Sequence, residues 1–238
     1  MGRVTPSTSV ETPASVLVVA PHPDDETIGC GGAIRLRIQE RRRVEVVFLT
    51  SGERGLTCSS DREACTVREA EALAAGEVLG IDRADFLRFP DRRLDENIEA
   101  CAAALAGLID SRAPGIVYLP HPGESHPDHA VTAPIVREAL AERKARDRPE
   151  FWAYEVWSPM ARHGWTEDVT PVMPLKLQAI ACYRSQLALL RYDRAVRGLN
   201  RYRGLMAAGS EYAEAFRYLP WRAASARAVA RGRKASPT

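Results

Sequence analysis

A chain of 238 residues, 45% of them apolar, can bury one sizeable core, and no run of it reaches the about 20 apolar residues that span a bilayer. Its 33 basic residues nearly balance its 31 acidic ones, so the overall charge draws in neither nucleic acid nor an anionic membrane, and recognition has to be local. Residues 1–13 lack the apolar core of a secretory leader, and Cys30, Cys101 and Cys182 fall in helix-like segments as reduced, buried thiols, so the expected protein is soluble and cytoplasmic.

Residues 15–20 form a continuous valine-rich run, as a central parallel strand covered on both faces requires. From 24 or 25 to about 41, Ile28, Ala33, Ile34, Leu36 and Ile38 fit a helix that an Asp at its start can cap. A second strand is expected at 44–50, a helix at 66–79 ended by Gly80, a short strand at 85–89, and a helix from 95 to about 111 that stops before Pro114. Strand four at 115–119, a helix from 128 to about 145 and a fifth strand at 151–157 complete the alternation. Repeated βα units favour parallel strands with right-handed crossovers, so the fold class is α/β, a Rossmann-like doubly wound sheet of about five or more strands with helices on both faces.

Past 157 the alternation stops. Helical stretches are expected near 175–190, 193–205 and 211–218, packed on the same core as extra C-terminal helices. The expected organisation is an N-terminal arm at 1–14, a single domain at 15–222 and a flexible basic tail at 223–238. Cys58 and Cys65 share one polar loop and could bridge if oxidised.

Two short stretches carry the chemistry: His22-Pro23-Asp24-Asp25-Glu26 just after strand one, and His126-Pro127-Asp128-His129 just after strand four. In the common strand order 3-2-1-4-5 these strands are neighbours at the switch point, where ligands bind, so one crevice would hold both motifs. Two imidazoles and one carboxylate around a divalent transition ion leave a position open for water, whose pKa falls from about 16 toward about 7. His22 and His129 are the natural imidazole ligands. Of the adjacent Asp24 and Asp25, one suits the metal and the other the role of general base, because their side chains leave the backbone in different directions. His126 is then free to stabilise an oxyanion or protonate a leaving amine, with Asp128 available to orient an imidazole. The same donor set describes the facial triad of non-haem iron, so Fe2+ or another divalent transition metal stays open beside Zn2+, which the spare Asp and His favour.

These residues, with Gly29-Cys30-Gly31-Gly32 after the first motif, resemble the PIG-L/LmbE family of zinc-dependent N-acetylglucosamine-type deacetylases. Further matches are Ser51-Gly52-Glu53-Arg54-Gly55, Arg68 with Glu69, Asp91, and Tyr183-Arg184-Ser185-Gln186. The resemblance implies His22, Asp25 and His129 as zinc ligands, Asp24 as general base, and His126 as electrostatic or acid catalyst. It also implies contacts from Glu53, Arg68 and Asp91 to sugar or inositol hydroxyls. Arg68 could equally pair with neighbouring glutamates, and Glu53 and Asp91 could be ordinary polar loop residues. Some members of the family carry a tyrosine where this chain has Glu124, which is placed instead as a reader of an amine or hydroxyl.

The glycines lie inside the first helix, after the metal residues, which favours close helix packing over a pyrophosphate loop. His121 and His163 read as ordinary surface or loop histidines. The resemblance implies a small-molecule aminosugar or glycoconjugate as partner, and a homo-oligomer is compatible with it. The alternatives are a related metal-dependent amidase acting on another acylated amine or thiol conjugate, and a non-catalytic sugar-binding module, against which the spare Asp argues.

Overall fold

Val16–Ala20 (β1) and Val44–Thr50 (β2) are buried along their whole length, as strands between two helical layers must be. The computed structural model describes residues 14–57 and 60–220. Asp25–Gln39 (α1) follows β1, and Asp61–Leu79 (α2), Arg83–Phe89 (β3), Ile98–Arg112 (α3), Ile116–Pro120 (β4), Pro127–Ala139 (α4) and Glu150–Tyr154 (β5) follow β2. Beyond them lie Trp165–Asp168 (β6), Met173–Ile180 (α5), Arg184–Leu187 (α6), Tyr192–Arg203 (α7) and Ala213–Tyr218 (β7). The strands form one sheet in the order β3-β2-β1-β4-β5-β7-β6. From β3 to β5 it is parallel, with Val16 opposite Val44 on one side and Ile116 on the other.

Period-two alternation divides the core. Val16, Val18 and Ala20 pack with Ile34, Leu79 and Ile180 on one face, and Leu17 and Val19 pack with Leu105, Ile109 and Val136 on the other. The doubly wound architecture and the neighbouring of β1 and β4 are thus as expected. No helix of the described residues is long and apolar enough to cross a membrane.

Several elements differ from those expected of the sequence. Helix α2 begins at Asp61, not 66, because Ser60 accepts the Glu63 N–H at 3.2 Å. Helix α4 ends at Ala139 rather than about 145, and β5 ends at Tyr154 rather than 157. The segment 211–218, expected to be helical, is instead strand β7, which runs antiparallel between β5 and β6. Its alanines and glutamates favour helix, yet Phe216 packs its ring on Tyr118 and Trp165, and tertiary packing overrides the propensity. Cys30 and Cys101 are buried, whereas Cys182 is half-buried in the turn after α5. The arm at 1–14 (Ala14 apart), the tail at 223–238 and the Cys58 half of the suggested bridge lie outside the described residues.

Helix α1 is broken at Cys30, whose φ and ψ are −140° and 20°. Beyond the break, the Glu214 carboxylate accepts the N–H groups of Gly32 (2.7 Å) and Ala33 (2.8 Å), acting as an N-cap supplied by β7. Lys176, fully buried, pairs with Glu214 at 2.7 Å and donates to Ile28 O and Asn200 Oδ1 at 2.8 and 2.9 Å. A Cβ on Gly29 would stand 2.2 Å from the Tyr154 ring, and one on Gly32 2.4 Å from Val169, so these glycines serve close packing. Lys176→Met strands the Glu214 charge in the core. It is expected to remove about 3–5 kcal/mol of stability, read as a lower midpoint in urea unfolding.

Candidate metal and acid–base site

Every parallel strand ends at the same sheet edge, and each loop leaving that edge carries polar groups: His22 to Asp25 after β1, Glu53 after β2, Asp91 after β3 and His121 to His129 after β4. The two motifs therefore meet. His22 Nδ1 lies 3.1 Å from Asp25 Oδ2 and 3.2 Å from His129 Nε2, and His129 Nε2 lies 3.1 Å from the same Asp25 oxygen. Three donors thus mark a nearly equilateral triangle. A tetrahedral ion with ligand bonds of about 2.0–2.1 Å separates its ligands by about 3.3 Å, so the donor set fits a zinc-sized ion.

The outer partners agree with that fit. His22 Nε2 lies 3.1 Å from both Asp91 Oδ1 and Asp128 Oδ2, which in the neutral ring favours the proton there and a lone pair on Nδ1 facing the triangle. His129 Nδ1 is buried with no hydrogen-bond partner among the described residues, and Glu124 Oε2 stands 3.6 Å away as its carboxylate neighbour. Burial works against charge on both rings, yet Asp128, Asp25 and Asp91 hold the His22 pKa well above its usual value, and Asp25 and Glu124 hold His129 at about 9. This cluster is built around positive charge.

Asp24 stands just outside the triangle. Its φ of 116° is left-handed, and its side chain caps nothing in α1, contrary to the capping role expected for an Asp here. Instead Asp24 Oδ2 accepts from Arg68 Nη2 at 3.4 Å and from the Tyr192 hydroxyl at 3.5 Å, while its own N–H donates to Glu26 Oε2 at 3.1 Å. Burial, with the charges of Asp25 and Glu26, pushes its carboxyl up to about 7 against the pull of Arg68. Arg68 also donates to Pro23 O, and its Nε and Nη1 are buried with no hydrogen-bond partner among the described residues. Its ion pair is with Asp24 of the first motif.

His126 caps α4 by accepting the Asp128 N–H at Nδ1 (3.3 Å), and its Nε2 takes no hydrogen bond from the described residues. Its ring centroid lies 4.8 Å from those of His22 and His129, and burial with these two neighbours lowers its pKa. Asp128 does face an imidazole, that of His22, and it also accepts the N–H groups of Arg92 (2.7 Å) and Leu94 (3.3 Å). Glu53 accepts the Asp91 N–H at 2.8 Å and Asp91 accepts the Arg54 N–H at 2.9 Å, so these two loops are clasped together. The hydrogen bond from His22 holds Asp91 at about 2 despite its burial.

Glu124 is turned inward. Its carboxylate accepts the N–H groups of Val156 (2.7 Å), Trp157 (3.1 Å) and Ser158 (3.0 Å), which makes it an anchor more than a reader of ligand. His121, expected as an ordinary loop histidine, is buried beside it, with Nε2 2.6 Å from Ser158 O and 3.3 Å from Glu124 Oε1. Glu26 and Tyr183, which the sequence marks only as parts of motifs, and Tyr192, which it does not mark at all, join the site. The Tyr183 hydroxyl donates to Glu26, so the C-terminal stretch closes over the first motif.

The PIG-L family profile, described as GlcNAc-PI de-N-acetylase, matches residues 17–140, which include both His-Pro-Asp motifs. A probable N-acetyl-α-D-glucosaminyl L-malate deacetylase of Bacillus anthracis is 31% identical over 188 residues, spanning 73% of this chain and 81% of the relative. The solved N,N'-diacetylchitobiose deacetylase of Pyrococcus horikoshii superimposes with a TM-score of 0.77 at 27% identity, covering 87% of this chain and 84% of that one. The 4-carboxy-2-hydroxymuconate hydratase of Pseudomonas putida KT2440 superimposes with a TM-score of 0.70 at 25% identity, covering 89% and 98%.

His22→Ala and His129→Ala are expected to lose bound divalent metal while keeping the circular-dichroism spectrum, as elemental analysis of the dialysed proteins would read. Glu124→Gln is expected to keep a site of about 10- to 100-fold lower affinity, measured by competition with a chelator.

Proposed function

Since the chain belongs to the PIG-L family, we propose that it is a metal-dependent hydrolase that removes the N-acetyl group from an N-acetylglucosamine-type sugar or glycoconjugate, with zinc as its resident ion. The observation that carries this reading is the triangle of His22, Asp25 and His129 with the buried carboxylate of Asp24, which interacts with the charges of His22 and Asp25, beside it. An ion held there supplies Lewis acidity, polarising the acetyl carbonyl and acidifying water.

The residues of the chain divide the remaining work. Asp24 takes the proton of the attacking water, a task suited to a carboxyl near 7, and Arg68 and Glu26 fix its direction. His126 offers Nε2 to the oxyanion as the C–O bond forms. The proton then passes to the amide nitrogen as the C–N bond breaks, and acetate and a free amine leave. Asp91 and Asp128 hold His22, and Glu124 stands behind His129. Glu53 and Arg68 border the approach and suit sugar hydroxyls, and Asp91 connects that border to the metal side.

The hydratase neighbour adds water without cleaving an amide, so the deciding assay reads amine release. Zinc-loaded protein is expected to liberate amine from members of a panel of N-acetylated aminosugars. Asp24→Asn, chosen because asparagine tolerates positive φ, is expected to lower kcat by about 10²- to 10⁴-fold with metal content unchanged. Full activity in that variant, or a panel without any released amine, overturns the proposal.

A further inference from the structure

The loop after β5 presents one large apolar side chain to solvent. Trp157 is 47% exposed, whereas Trp152 and Trp165 pack on each other at 5.4 Å. Leaving an indole in water forfeits favourable burial, and a mobile loop could fold it away. This loop is not free to do so. The N–H groups of Val156, Trp157 and Ser158 all end on the Glu124 carboxylate, Ser158 O accepts from His121, and Ser158 Oγ accepts the Ser125 N–H at 2.9 Å. Below it, Arg203 ties Glu155 to Met160 O.

The anchor is also the group behind the site. Glu124 Oε2 accepts the Trp157 backbone N–H and faces His129 Nδ1, so the backbone that carries the indole and a proposed metal ligand are referenced to one carboxylate oxygen. β5 ends at the same edge as β1 and β4, and through Glu124 the Trp157 backbone stands beside His129 of the second motif. The crevice itself is lined by charged and polar groups, which suit an acetamide and hydroxyls. A pyranose ring also has a face of C–H groups, and those need an apolar partner. We propose that Trp157 is the aromatic platform on which the sugar ring of the substrate stacks, held at fixed height above the reacting centre by Glu124. This rests on the deacetylase reading and assigns what separates a sugar from any other acetamide.

The test compares wild type, Trp157→Ala and Trp157→Phe, each zinc-loaded, on an N-acetylated aminosugar and on an acyclic N-acetyl amide. Trp157→Ala is expected to raise KM for the sugar about tenfold with a much smaller change in kcat, and to lower the preference for sugar over acyclic amide by the same factor, while Trp157→Phe recovers most of both. Calorimetric binding of the same sugar to Asp24→Asn, with and without Trp157→Ala, should show a matching loss in Kd without relying on turnover. Unchanged KM and Kd, or equal losses on sugar and acyclic amide, overturn the platform. Trp157-dependent sugar binding in a wild type that releases no amine supports the platform and removes only the deacetylase reading.

Discussion

Compensation of buried charge is the constraint on which the rest of this molecule depends. Asp25, Asp91, Asp128 and Glu124 converge, all buried, on the two imidazoles of His22 and His129. Carboxylates in such a place are costly unless cationic charge stands among them. In a metal-free state the imidazoles must carry it, as the raised pKa values of both rings express. A divalent ion meets the same demand without protonating its own ligands, which is why the donor triangle and the outer carboxylates form one design. The sheet supplies the convergence, since β1 and β4 end side by side and bring His22 and His129 into one charge cluster.

A second buried ionic system supports the first through helix α1. Lys176 and Glu214 fix the break at Cys30, with Glu214 capping the outer segment and Lys176 taking the carbonyl of Ile28. The inner segment, which carries Asp25 and Glu26, is thereby free to take a direction of its own. Tyr183 then holds Glu26, and Glu26 holds the backbone of Asp24 in its left-handed conformation. Strain at Asp24 is sustained because the surroundings determine it from several sides. The C-terminal third of the chain therefore completes the site and does more than cover the sheet.

Much of this was legible in the sequence wherever one residue type has one economical use. Valine runs marked β1 and β2, and the two His-Pro-Asp motifs marked the crevice, because no structural turn needs so many ligands. What was not legible depended on partners distant in sequence. Glu214 sits in a segment of helical composition that the sheet recruits as β7. His121 and Glu124 look like loop residues until β5 brings the backbone of 156–158 onto them. Asp24 has the composition of a helix cap and the geometry of something else. Ser60 and Glu63 were a readable capping pair that marked the true start of α2.

The fold by itself leaves the reaction open, since chains of this architecture include deacetylases and a hydratase. Hydrolysis and hydration both need a prepared water, and that is what the inner ring of histidines and carboxylates is suited to do. Selectivity must then come from groups that are held by the inner ring without belonging to it. Glu124 is placed to connect the two levels, because it faces a proposed metal ligand on one side and fixes an exposed loop on the other. Such a joint lets the loop change its side chain at little cost to the metal site, and it lets the metal site fix the height of whatever the loop presents. Substrate range in a fold of this kind can therefore shift by substitution at the rim while the chemistry beneath stays in register.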